Sequence, residues 1–567
     1  ELSLDNIHLF ADKATVALAE TGNVSNSKTT LHINSNSILP WGWQANTEAT
    51  WLTLTANAED NQLTITADSS ALTNNAITLA EITITGNEQT TAVAETIQVS
   101  FYKSDLNSEN NTLDIIANSN GVATNPLLPQ YYVATGNELR SYHLYSNELL
   151  STTVIAPADT ELEQLIIHPD ASTMLAKAVE TIVIDENTSE TTTHRYKINL
   201  SDMSFVALTD FDISNEPVKI IRLDGRYFVA TTILEFADIN LMRLGFDGPN
   251  AFFARAFNVA EQKQSLFALD VSTSDDLMSI KRLNVKVNDF GRNPITTEIS
   301  HSYRPELLGE SEQINDFYVT ADEENIYAIS PTSEWISFDG TTFTDNGVLN
   351  SDEAITNLVL AHTANDRPHY VRFESEVGFR VDVYNHQQTI ANSIELSVNQ
   401  PSTMLIANGD SRAVLPSAES INVINLSQFS SSAQTLAFTT NFGDSEIAQQ
   451  TLTLSNVGVG WQATASAPWL VLTQQSGENG DSLLIDIDRS LITGWGLMTA
   501  SISIYDPASG TTKVITVELA IDAIRLSSNY PSLAFNSLTT EQTLVHTIDV
   551  LTNSESPIAW QATTGVS

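Results

Sequence analysis

The feature of this sequence that most constrains its fold is a tryptophan-marked segment that occurs more than once. Trp43-Gln44-Ala45 recurs as Trp461-Gln462-Ala463 and as Trp560-Gln561-Ala562. Trp51-Leu52-Thr53-Leu54 has the counterpart Trp469-Leu470-Val471-Leu472 at an offset of 418. Because residue types and spacing agree over about 60 residues, these segments are copies of one structural unit.

Each copy contains short stretches in which apolar residues alternate with threonine. Leu63-Thr64-Ile65-Thr66 and Ile82-Thr83-Ile84-Thr85 show this alternation in the first copy. At an offset of 420, the second copy has its equivalent apolar residues at Leu483, Ile485, Ile502 and Ile504. A period of two is typical of half-buried antiparallel strands. Several such strands over about 100 residues indicate an immunoglobulin-like β-sandwich.

The copies predict the domain organisation at both ends of the chain. We predict sandwiches over residues 1–104 and 421–522, and the N-terminal part of a third, truncated sandwich over 523–567. The third copy reaches its Trp-Gln-Ala motif but not the Trp-Leu-x-Leu strand. We therefore interpret the chain as a fragment of a longer protein.

The repeat resembles the BACON domain, a family of immunoglobulin-like modules that recur in bacterial extracellular proteins. The matching positions are the strand that ends at Trp43, the Trp51-Leu52 pair and the Ile82/Ile84 strand, with their equivalents in the second copy. The resemblance implies a cell-surface or secreted protein, because the family is associated with carbohydrate-active proteins and has been proposed to bind glycan or mucin. Members of the family also serve as spacers.

Between residues 111 and 420 the pattern changes to pairs of apolar strands that meet at an aspartate- or asparagine-rich turn. Asp, Asn and Gly suit tight hairpins because they tolerate left-handed φ or cap their own turn. These turn residues lie 44 to 54 positions apart: Asp170, Asp224, Asp275, Asp322, Asp366 and Asp410. Such a period, with about four strands per unit, predicts a β-propeller.

The number of blades depends on a weaker unit around Gly136-Asn137, whose turn carries no aspartate. With this unit the propeller has seven blades, and without it six; we favour seven. Two or three further sandwiches are the alternative for this region, but they fit the period less well. The predicted fold class is therefore all-β, with immunoglobulin-like β-sandwich repeats flanking a β-propeller.

Composition narrows the choice of partners. The chain has 25 basic and 69 acidic residues, for a net charge of −44. This field repels nucleic acid and anionic lipid headgroups, so we expect neither as a partner, and it suits a solvated surface in saline surroundings. No stretch of 18 apolar residues occurs, so we expect no membrane insertion. The absence of cysteine excludes disulfides, thiolate zinc sites and a cysteine nucleophile.

The start of the chain bears on its location. It begins at Glu1 rather than at methionine, from which we expect that a leader or an upstream region has been removed from the numbering. Together with the domain types, this predicts an extracellular or cell-surface location.

One acidic loop has the pattern of a calcium site. Asp210, Asp212, Ser214 and Glu216 place oxygen ligands at alternating positions, as Ca²⁺ requires. The loop lacks the glycine that gives an EF-hand its sharp turn, so an ordinary acidic loop is the alternative reading. Ca²⁺ is the one cofactor that the sequence suggests.

Tryptophan is the second source of candidate binding residues. Aromatic faces suit sugar binding because pyranose C–H groups stack on them. The tryptophans that recur in each copy are better explained as core residues. Trp41 and Trp495 have no aromatic counterpart in the other copy, since they align with Val459 and Asn75. These two are the predicted ligand-binding residues.

The function predicted from these features is binding or adhesion, with the propeller as the recognition domain and the sandwiches as spacers. The expected partner is an extracellular glycan or a surface protein. The chain carries no Gly-x-Ser-x-Gly, His-Glu-x-x-His or P-loop motif, so we predict no enzymatic activity. Two alternatives stay open: a structural stalk or filament subunit that self-associates as a repeat array, and a polysaccharide-active enzyme with carboxylates in the propeller channel.

Overall fold

The computed structural model of this protein is built of β-strands, and its described residues include two short 3₁₀ turns, Ser69–Ala71 and Arg489–Leu491. The all-β class predicted from the sequence is therefore confirmed. Two compact units form, residues 1–428 with 508–511, and residues 429–507 with 512–567. The structure describes residues 7–21, 24–37, 40–87, 91–105, 111–115, 121–185, 188–209, 216–232, 236–242, 246–247, 254–270, 279–287, 295–303, 316–320, 322–329, 334–348, 358–364, 367–374, 378–384, 390–396, 401–407, 412–417, 419–426, 430–431, 433, 435–441, 447–455, 460–477, 481–492, 494–506, 511–536, 543–554 and 557–565.

The N-terminal sandwich consists of two sheets. Its strands are β1 (Leu9–Ala11), β2 (Thr15–Thr21), β3 (Val24–Asn26), β4 (Lys28–Ser35), β5 (Trp43–Asn46), β6 (Leu52–Asn57), β7 (Gln62–Ala67), β8 (Ala76–Gly86) and β9 (Glu95–Ser104). One sheet has the order β1-β4-β7-β6, and the other contains β5-β8-β9-β2-β3. β2 runs parallel to β9, whereas β9 and β8 are antiparallel.

The alternation read from the sequence produces the core of this sandwich. Leu63, Ile65, Ile82 and Ile84 are fully buried, and the threonines between them are half-buried or exposed. Since successive side chains of a strand point to opposite faces, one face of each sheet supplies the core. This packing has the immunoglobulin-like character that the sequence predicts.

The middle of the chain forms seven sheets among its described residues, which we call the seven-sheet region. It begins with β10 (Asn111–Leu113). The first sheet contains β11 (Val122–Thr124), β12 (Gln130–Thr135), β13 (Glu138–His143) and β14 (Leu149–Val154). The second contains β15 (Thr160–Ile167), β16 (Thr173–Asp185), β17 (Thr188–Asn199) and β18 (Phe205–Ala207), and the third β19 (Pro217–Leu223), β20 (Arg226–Thr231) and β21 (Phe236–Ala237).

The remaining four sheets follow in chain order. The fourth contains β22 (Phe246–Asp247), β23 (Ala254–Ala260), β24 (Ser265–Asp270), β25 (Ser279–Val287) and β26 (Ile295–Tyr303). The fifth contains β27 (Asp316–Val319), β28 (Asn325–Ile329), β29 (Glu334–Phe338) and β30 (Phe343–Val348), and the sixth β31 (Leu358–Ala364), β32 (Arg367–Glu374), β33 (Gly378–Tyr384) and β34 (Ile390–Leu396). The seventh contains β35 (Leu405–Ala407), β36 (Arg412–Pro416) and β37 (Ile421–Asn425).

The sheets of this region contact one another in a cyclic order. The strands in contact are, in sequence, β11, β15, β19, β23, β27, β31 and β35, and β35 contacts β11. β10 pairs with β37, so the first strand of the region completes the last sheet. β37 extends beyond the boundary at 420 predicted from the sequence, because its residues pair with β36 and β10. The propeller itself stays a prediction.

The predicted turn residues fall at two kinds of position. Asp170, Asp224 and Asp322 lie between the first and second strands of the second, third and fifth sheets. In the fourth sheet, which has the additional strand β22 before β23, the corresponding turn is 261–264 between β23 and β24, and Gln264 adopts a φ of 54° there. Asp275 instead falls in the connection between β24 and β25. The sequence therefore chose the wrong turn for this sheet, and the residue that matches Asp170, Asp224 and Asp322 lies in 261–264.

Three of the predicted turn residues lie outside the described residues: Asp275, Asp366 and Asp410. The Gly136-Asn137 turn joins β12 to β13, the second and third strands of the first sheet. It therefore belongs to a different class of turn from Asp170, which explains why it carries no aspartate in the predicted series.

The second sandwich repeats most strands of the first, although β3 and β43 have no counterpart among the described strands of the other copy. Its strands are β38 (Ser430–Ser431), β39 (Thr435–Asn441), β40 (Gln450–Ser455), β41 (Trp461–Ala465), β42 (Leu470–Leu472), β43 (Ser476–Gly477), β44 (Ser482–Ile487), β45 (Gly496–Asp506) and β46 (Thr511–Asp522). β39 runs parallel to β46, as β2 does to β9. The 3₁₀ turns and the starts of β8 and β45 correspond at the offset of 420, which confirms that the two segments are copies.

Residues 523–567 contain a short antiparallel pair, β47 (Leu526–Ser528) and β48 (Val550–Thr552). Leu533 and Phe535 are 39% and 57% exposed, whereas their counterparts Leu436 and Phe438 are buried in the second sandwich. Among the described residues, no helix is long and apolar enough to cross a membrane.

Candidate functional site

Trp495 is the most exposed of the described tryptophans, with 70% of its surface accessible. It lies between the 3₁₀ turn Arg489–Leu491 and β45, and the buried Ile492 anchors the loop to the core. Gly496 has a φ of +123°, a conformation that side chains other than glycine rarely adopt. A Cβ at Gly494 would meet no atom within 4 Å, so the space beside this residue is also open.

Two further apolar side chains flank the indole in sequence. Leu491 and Leu497 are 48% and 66% exposed. The loop therefore displays three exposed apolar side chains within seven residues, 491–497, in a chain whose surface is otherwise rich in carboxylates. An indole that is largely exposed and has apolar neighbours can stack on the C–H face of a sugar ring.

The equivalent position in the first sandwich has a structural role. Asn75 adopts a φ of 54°, and its Oδ1 accepts a hydrogen bond of 2.9 Å from the Ser104 hydroxyl at the end of β9. Asparagine suits this place because it tolerates left-handed φ and accepts hydrogen bonds locally. At the equivalent position of the second copy, Trp495 cannot accept this bond and adds a large exposed ring, so the two copies differ in chemistry at this loop.

Trp41, the other predicted ligand-binding residue, has a different environment. It is half-buried and packs against the core of the first sandwich, as does Trp51. A ring held in this way offers only part of its surface to a ligand. The structure thus assigns Trp41 a packing contact and leaves Trp495 as the fully displayed indole.

The recurring tryptophans of the two sandwiches contribute to their cores, as predicted, whereas Trp560 of the third copy does not. Trp43, Trp461 and Trp469 are buried, and Trp51 makes an edge-to-face contact with Phe101 at a ring-centroid distance of 6.1 Å. Trp560, in the third copy, is 55% exposed. Burial of the shared rings in both complete copies explains why they recur.

The predicted calcium loop is described at one residue only. Asp210, Asp212 and Ser214 lie outside the described residues. Glu216 accepts a hydrogen bond of 3.2 Å from the Arg195 guanidinium, and Lys177 Nζ lies 3.7 Å from its other oxygen. A calcium ion at this carboxylate would compete with two cations. In the part of the chain that the structure describes, no three His, Asp or Glu side chains converge to hold a metal.

The seven-sheet region has one face covered by the first sandwich, which the sequence did not predict. The turns between first and second strands bind β1, β2, β4 and β9. The Thr15 hydroxyl donates to the Pro126 carbonyl over 3.2 Å, and the Ser100 hydroxyl donates to the Leu127 carbonyl. Asn34 Nδ2 donates to the Glu261 carbonyl over 3.4 Å. The first four sheets each take part in such contacts, so a ligand of this region must approach from another side.

A buried ion pair fixes this covered face. Arg222, at the end of β19, donates to the Ala11 carbonyl over 2.9 Å and pairs with the Glu95 carboxylate. Burial raises the pKa of Glu95, and Arg222 opposes that rise. Gly225, in the adjacent turn, has a φ of +74°, and a Cβ there would lie 3.1 Å from the Phe10 side chain. The turn therefore has little room for a larger residue.

An aromatic cluster joins the same sandwich to the first and seventh sheets. Tyr102 of β9 stacks on Tyr145 at 5.0 Å and meets His143 edge-on at 5.1 Å. The buried Arg412 lies over the Tyr145 ring at 4.3 Å. A cation over an aromatic face gains most when both are desolvated. The cluster therefore holds the sandwich at the closing sheet of the cycle.

Other buried carboxylates of the region are also held by cations. Asp270 pairs with Lys281, and Glu323 accepts two hydrogen bonds from Arg282, from Nε at 2.9 Å and Nη2 at 3.1 Å. Paired in this way, these carboxylates serve packing between strands and sheets.

No protein-family model matches the chain, and no curated protein is similar to it in sequence.

Proposed function

We propose that this chain is a non-catalytic, extracellular or cell-surface binding protein that recognises a saccharide through the Trp495 loop of its second sandwich. The exposure of Trp495 carries the proposal. Burying a tryptophan contributes more to binding than burying most side chains, and leaving one in water is costly. The first copy has Asn75 at the equivalent position, so the fold of this loop does not require a tryptophan.

The other parts of the molecule take supporting roles in this proposal. The middle is a seven-bladed propeller, a hypothesis supported by the cyclic contacts and by the pairing of β10 with β37. The sandwiches are BACON-like modules. The first acts as a cap on the propeller rather than as a free spacer, since its contacts with the propeller include a buried ion pair. Recognition by the propeller would use its other face.

The experiment compares polysaccharide binding by the native chain with that of Trp495→Ala and Trp495→Tyr. A glycan array identifies the ligand, and titration calorimetry measures affinity. Because stacking needs an aromatic face, we expect Ala to weaken binding at least tenfold and Tyr to retain most of it. Trp41→Ala is the matched control, and we expect a smaller effect from it.

Two outcomes would overturn the proposal. One is that no saccharide on the array binds the native chain. The other is that Trp495→Ala binds as tightly as the native chain while remaining folded by circular dichroism.

A structural stalk is the second candidate, and a separate observation favours it. Trp560 is 55% exposed, although its counterpart Trp461 is 1% exposed in the second sandwich. Burial of Trp560, Leu533 and Phe535 against further strands would extend the repeat array. Sedimentation velocity tests this candidate, because a stalk would show self-association that depends on concentration and is lost in Trp560→Ser.

A further inference from the structure

The second sheet of the seven-sheet region carries a two-stranded extension. β15 pairs with β16 only as far as Glu180, opposite Thr160, and β18 pairs with β17 only at 196–198. β16 and β17 continue to pair with each other beyond these points, through Thr181 opposite Thr191 to the end of the hairpin. Residues 181–191, which we call the ribbon, therefore have no described strand on either outer edge.

The ribbon exposes consecutive apolar side chains. Ile182, Val183 and Ile184 are 50%, 73% and 60% exposed. Adjacent side chains of a strand point to opposite faces, so Ile182 and Val183 expose apolar surface on both. An isolated two-stranded hairpin is marginally stable in water. Soluble proteins protect open edges with charged side chains (especially Lys), Pro, bulges or a covering segment. The ribbon has a register shift between Val183 and Asp185, but it contains neither Lys nor Pro, and the residues before the shift keep a regular ladder.

The charge of the ribbon indicates what kind of segment would bind it. Every charged residue in residues 181–191 is acidic, namely Asp185, Glu186 and Glu190. Glu190 lies directly opposite Ile182 in the ladder, and Glu180 lies on the same face two residues along β16. The face around Ile182 thus combines an apolar side chain with the Glu190 carboxylate and, just outside the ribbon, with the Glu180 carboxylate, which also lies 3.3 Å from His194 Nε2. A strand added beside it gains most when apolar and basic residues alternate.

We propose that the ribbon binds an extended segment of a partner protein, with alternating apolar and basic residues, by adding it as a strand to an open edge. Main-chain hydrogen bonds supply affinity, and the pairing of basic residues with Glu180 and Glu190 sets the register. A second copy of this chain is a poor occupant, since a net charge of −44 on each copy opposes the approach. This site is independent of the Trp495 loop.

The test uses a fluorescently labelled peptide, Lys-Val-Lys-Val-Lys-Val-Lys, with blocked ends, and measures anisotropy in buffer at physiological ionic strength. A variant in which Asn-Gly replaces residues 181–191 removes the ribbon. Glu180 and Thr192 are paired, so a two-residue turn can join them. We expect saturable binding to the native chain and at least a tenfold loss in this variant.

Point variants separate strand addition from general attraction and keep the test valid if the shortened hairpin fails to fold. Ile182→Thr and Glu190→Gln should each weaken binding severalfold, whereas Ser189→Gln, on the opposite face, should not. The peptide Glu-Val-Glu-Val-Glu-Val-Glu should not bind. Equal affinity for the native chain and the ribbon variants would overturn the proposal and indicate attraction to the overall charge. Failure of the basic peptide to bind the native chain would also overturn it.

Discussion

At the scale of single residues, tryptophan is buried at some positions of this chain and exposed at others. Trp461 is 1% exposed and packs in the core of the second sandwich, whereas Trp495, in the same sandwich, is 70% exposed. The sequence distinguishes the two because only Trp461 recurs in the other copies. Recurrence indicates a shared fold, and its absence indicates a feature of one copy.

Replacing Trp461 with alanine should strongly destabilise the second sandwich. Truncation of a buried tryptophan leaves a cavity and costs about 3–5 kcal/mol. Gly477 lies against the indole, so little can move in to fill the space. Urea unfolding followed by circular dichroism measures the loss. Trp495→Ala is the matched control and should change the unfolding free energy by less than about 0.5 kcal/mol; equal losses for the two variants would contradict the core role of Trp461.

His143 should make the seven-sheet region sensitive to acid. Burial lowers the pKa of His143 below its ordinary value, Arg412 lowers it further, and Glu148 opposes both. The folded chain therefore favours the neutral ring. The stability contributed by this preference is present above the unfolded-state pKa of about 6.5 and is lost as the pH falls through the lower folded-state pKa.

The expected result is a smaller fall in unfolding free energy between neutral and mildly acidic pH in His143→Phe than in the native chain. Phenylalanine keeps an aromatic ring beside Tyr102 and Tyr145 but cannot titrate. The control is His546→Phe, at an exposed histidine. A native-like pH profile in His143→Phe would show that burial of this ring does not cause the acid sensitivity.

At the scale of elements, adjacent sheets are joined by polar contacts as well as by apolar packing. Gln164 Nε2 donates to the Pro217 carbonyl over 3.1 Å between the second and third sheets. The Thr124 hydroxyl donates to the Ile406 carbonyl over 3.0 Å between the first and the seventh. Arg282 and Glu323 join the fourth and fifth sheets by two hydrogen bonds. These contacts give each sheet a defined neighbour.

Breaking the Arg282–Glu323 pair should show how much such a contact between sheets contributes to the unfolding free energy. Their side chains are 14% and 10% exposed. Removal of one partner from a buried pair leaves an uncompensated charge and costs about 3–5 kcal/mol. Arg282→Met and Glu323→Met should each be destabilising, and the double variant should lose less than the sum of the two. Full recovery is not expected, because Arg282 also donates to Asn284, Ser300 and Ser265. Additive losses, measured by urea unfolding, would argue that the two side chains are not coupled.

Strand patterns were predictable, whereas the contacts between domains were not. The alternation at Leu63 and Ile65 is local, so it can be read without knowing what the strand packs against. Arg222 and Glu95 are 127 residues apart and belong to no repeat, and nothing in the sequence pairs them. For the same reason, the sequence suggested a spacer where the structure has a sandwich in contact with five of the seven sheets.

The candidate binding sites were likewise predictable only where the sequence itself provides a comparison. Trp495 could be singled out because the copies provide an internal comparison, and its exposure agrees with that reading. Trp41 satisfied the same criterion, but the criterion cannot distinguish a displayed ring from one held at the edge of a core. The ribbon was missed because Ile182-Val183-Ile184 reads as an ordinary buried strand until its neighbours are known.

At the scale of the whole molecule, charge is the dominant property. A net charge of −44 on 567 residues opposes compaction through self-repulsion. Several basic residues in the described contacts pair with carboxylates, as Arg222, Lys281 and Arg282 do. The remaining acidic surface is therefore balanced by dissolved counter-ions, and stability should depend on their concentration.

Sodium chloride should raise the unfolding midpoint of the native chain. The Debye length falls from about 30 Å at 0.01 M to about 3 Å at 1 M, so repulsion between exposed carboxylates is screened. The rise should be steepest at low salt and level off once neighbouring charges are screened. Thermal unfolding followed by circular dichroism measures it, with potassium chloride as the control for ion-specific effects. A midpoint that falls with added salt would mean that attractive ion pairs outweigh the overall repulsion.

The same experiment distinguishes screening from the predicted calcium site. At constant ionic strength, Ca²⁺ bound at Asp210, Asp212, Ser214 and Glu216 would raise the midpoint in a saturable way, by mass action on the folded state. Screening alone produces no saturable rise, and Mg²⁺ would match Ca²⁺. Asp212→Asn should abolish the calcium-specific component and leave the response to sodium chloride intact. If Ca²⁺ and Mg²⁺ have equal effects in the native chain, the acidic loop is an ordinary connection, and Glu216 serves chiefly to pair with Arg195 and Lys177.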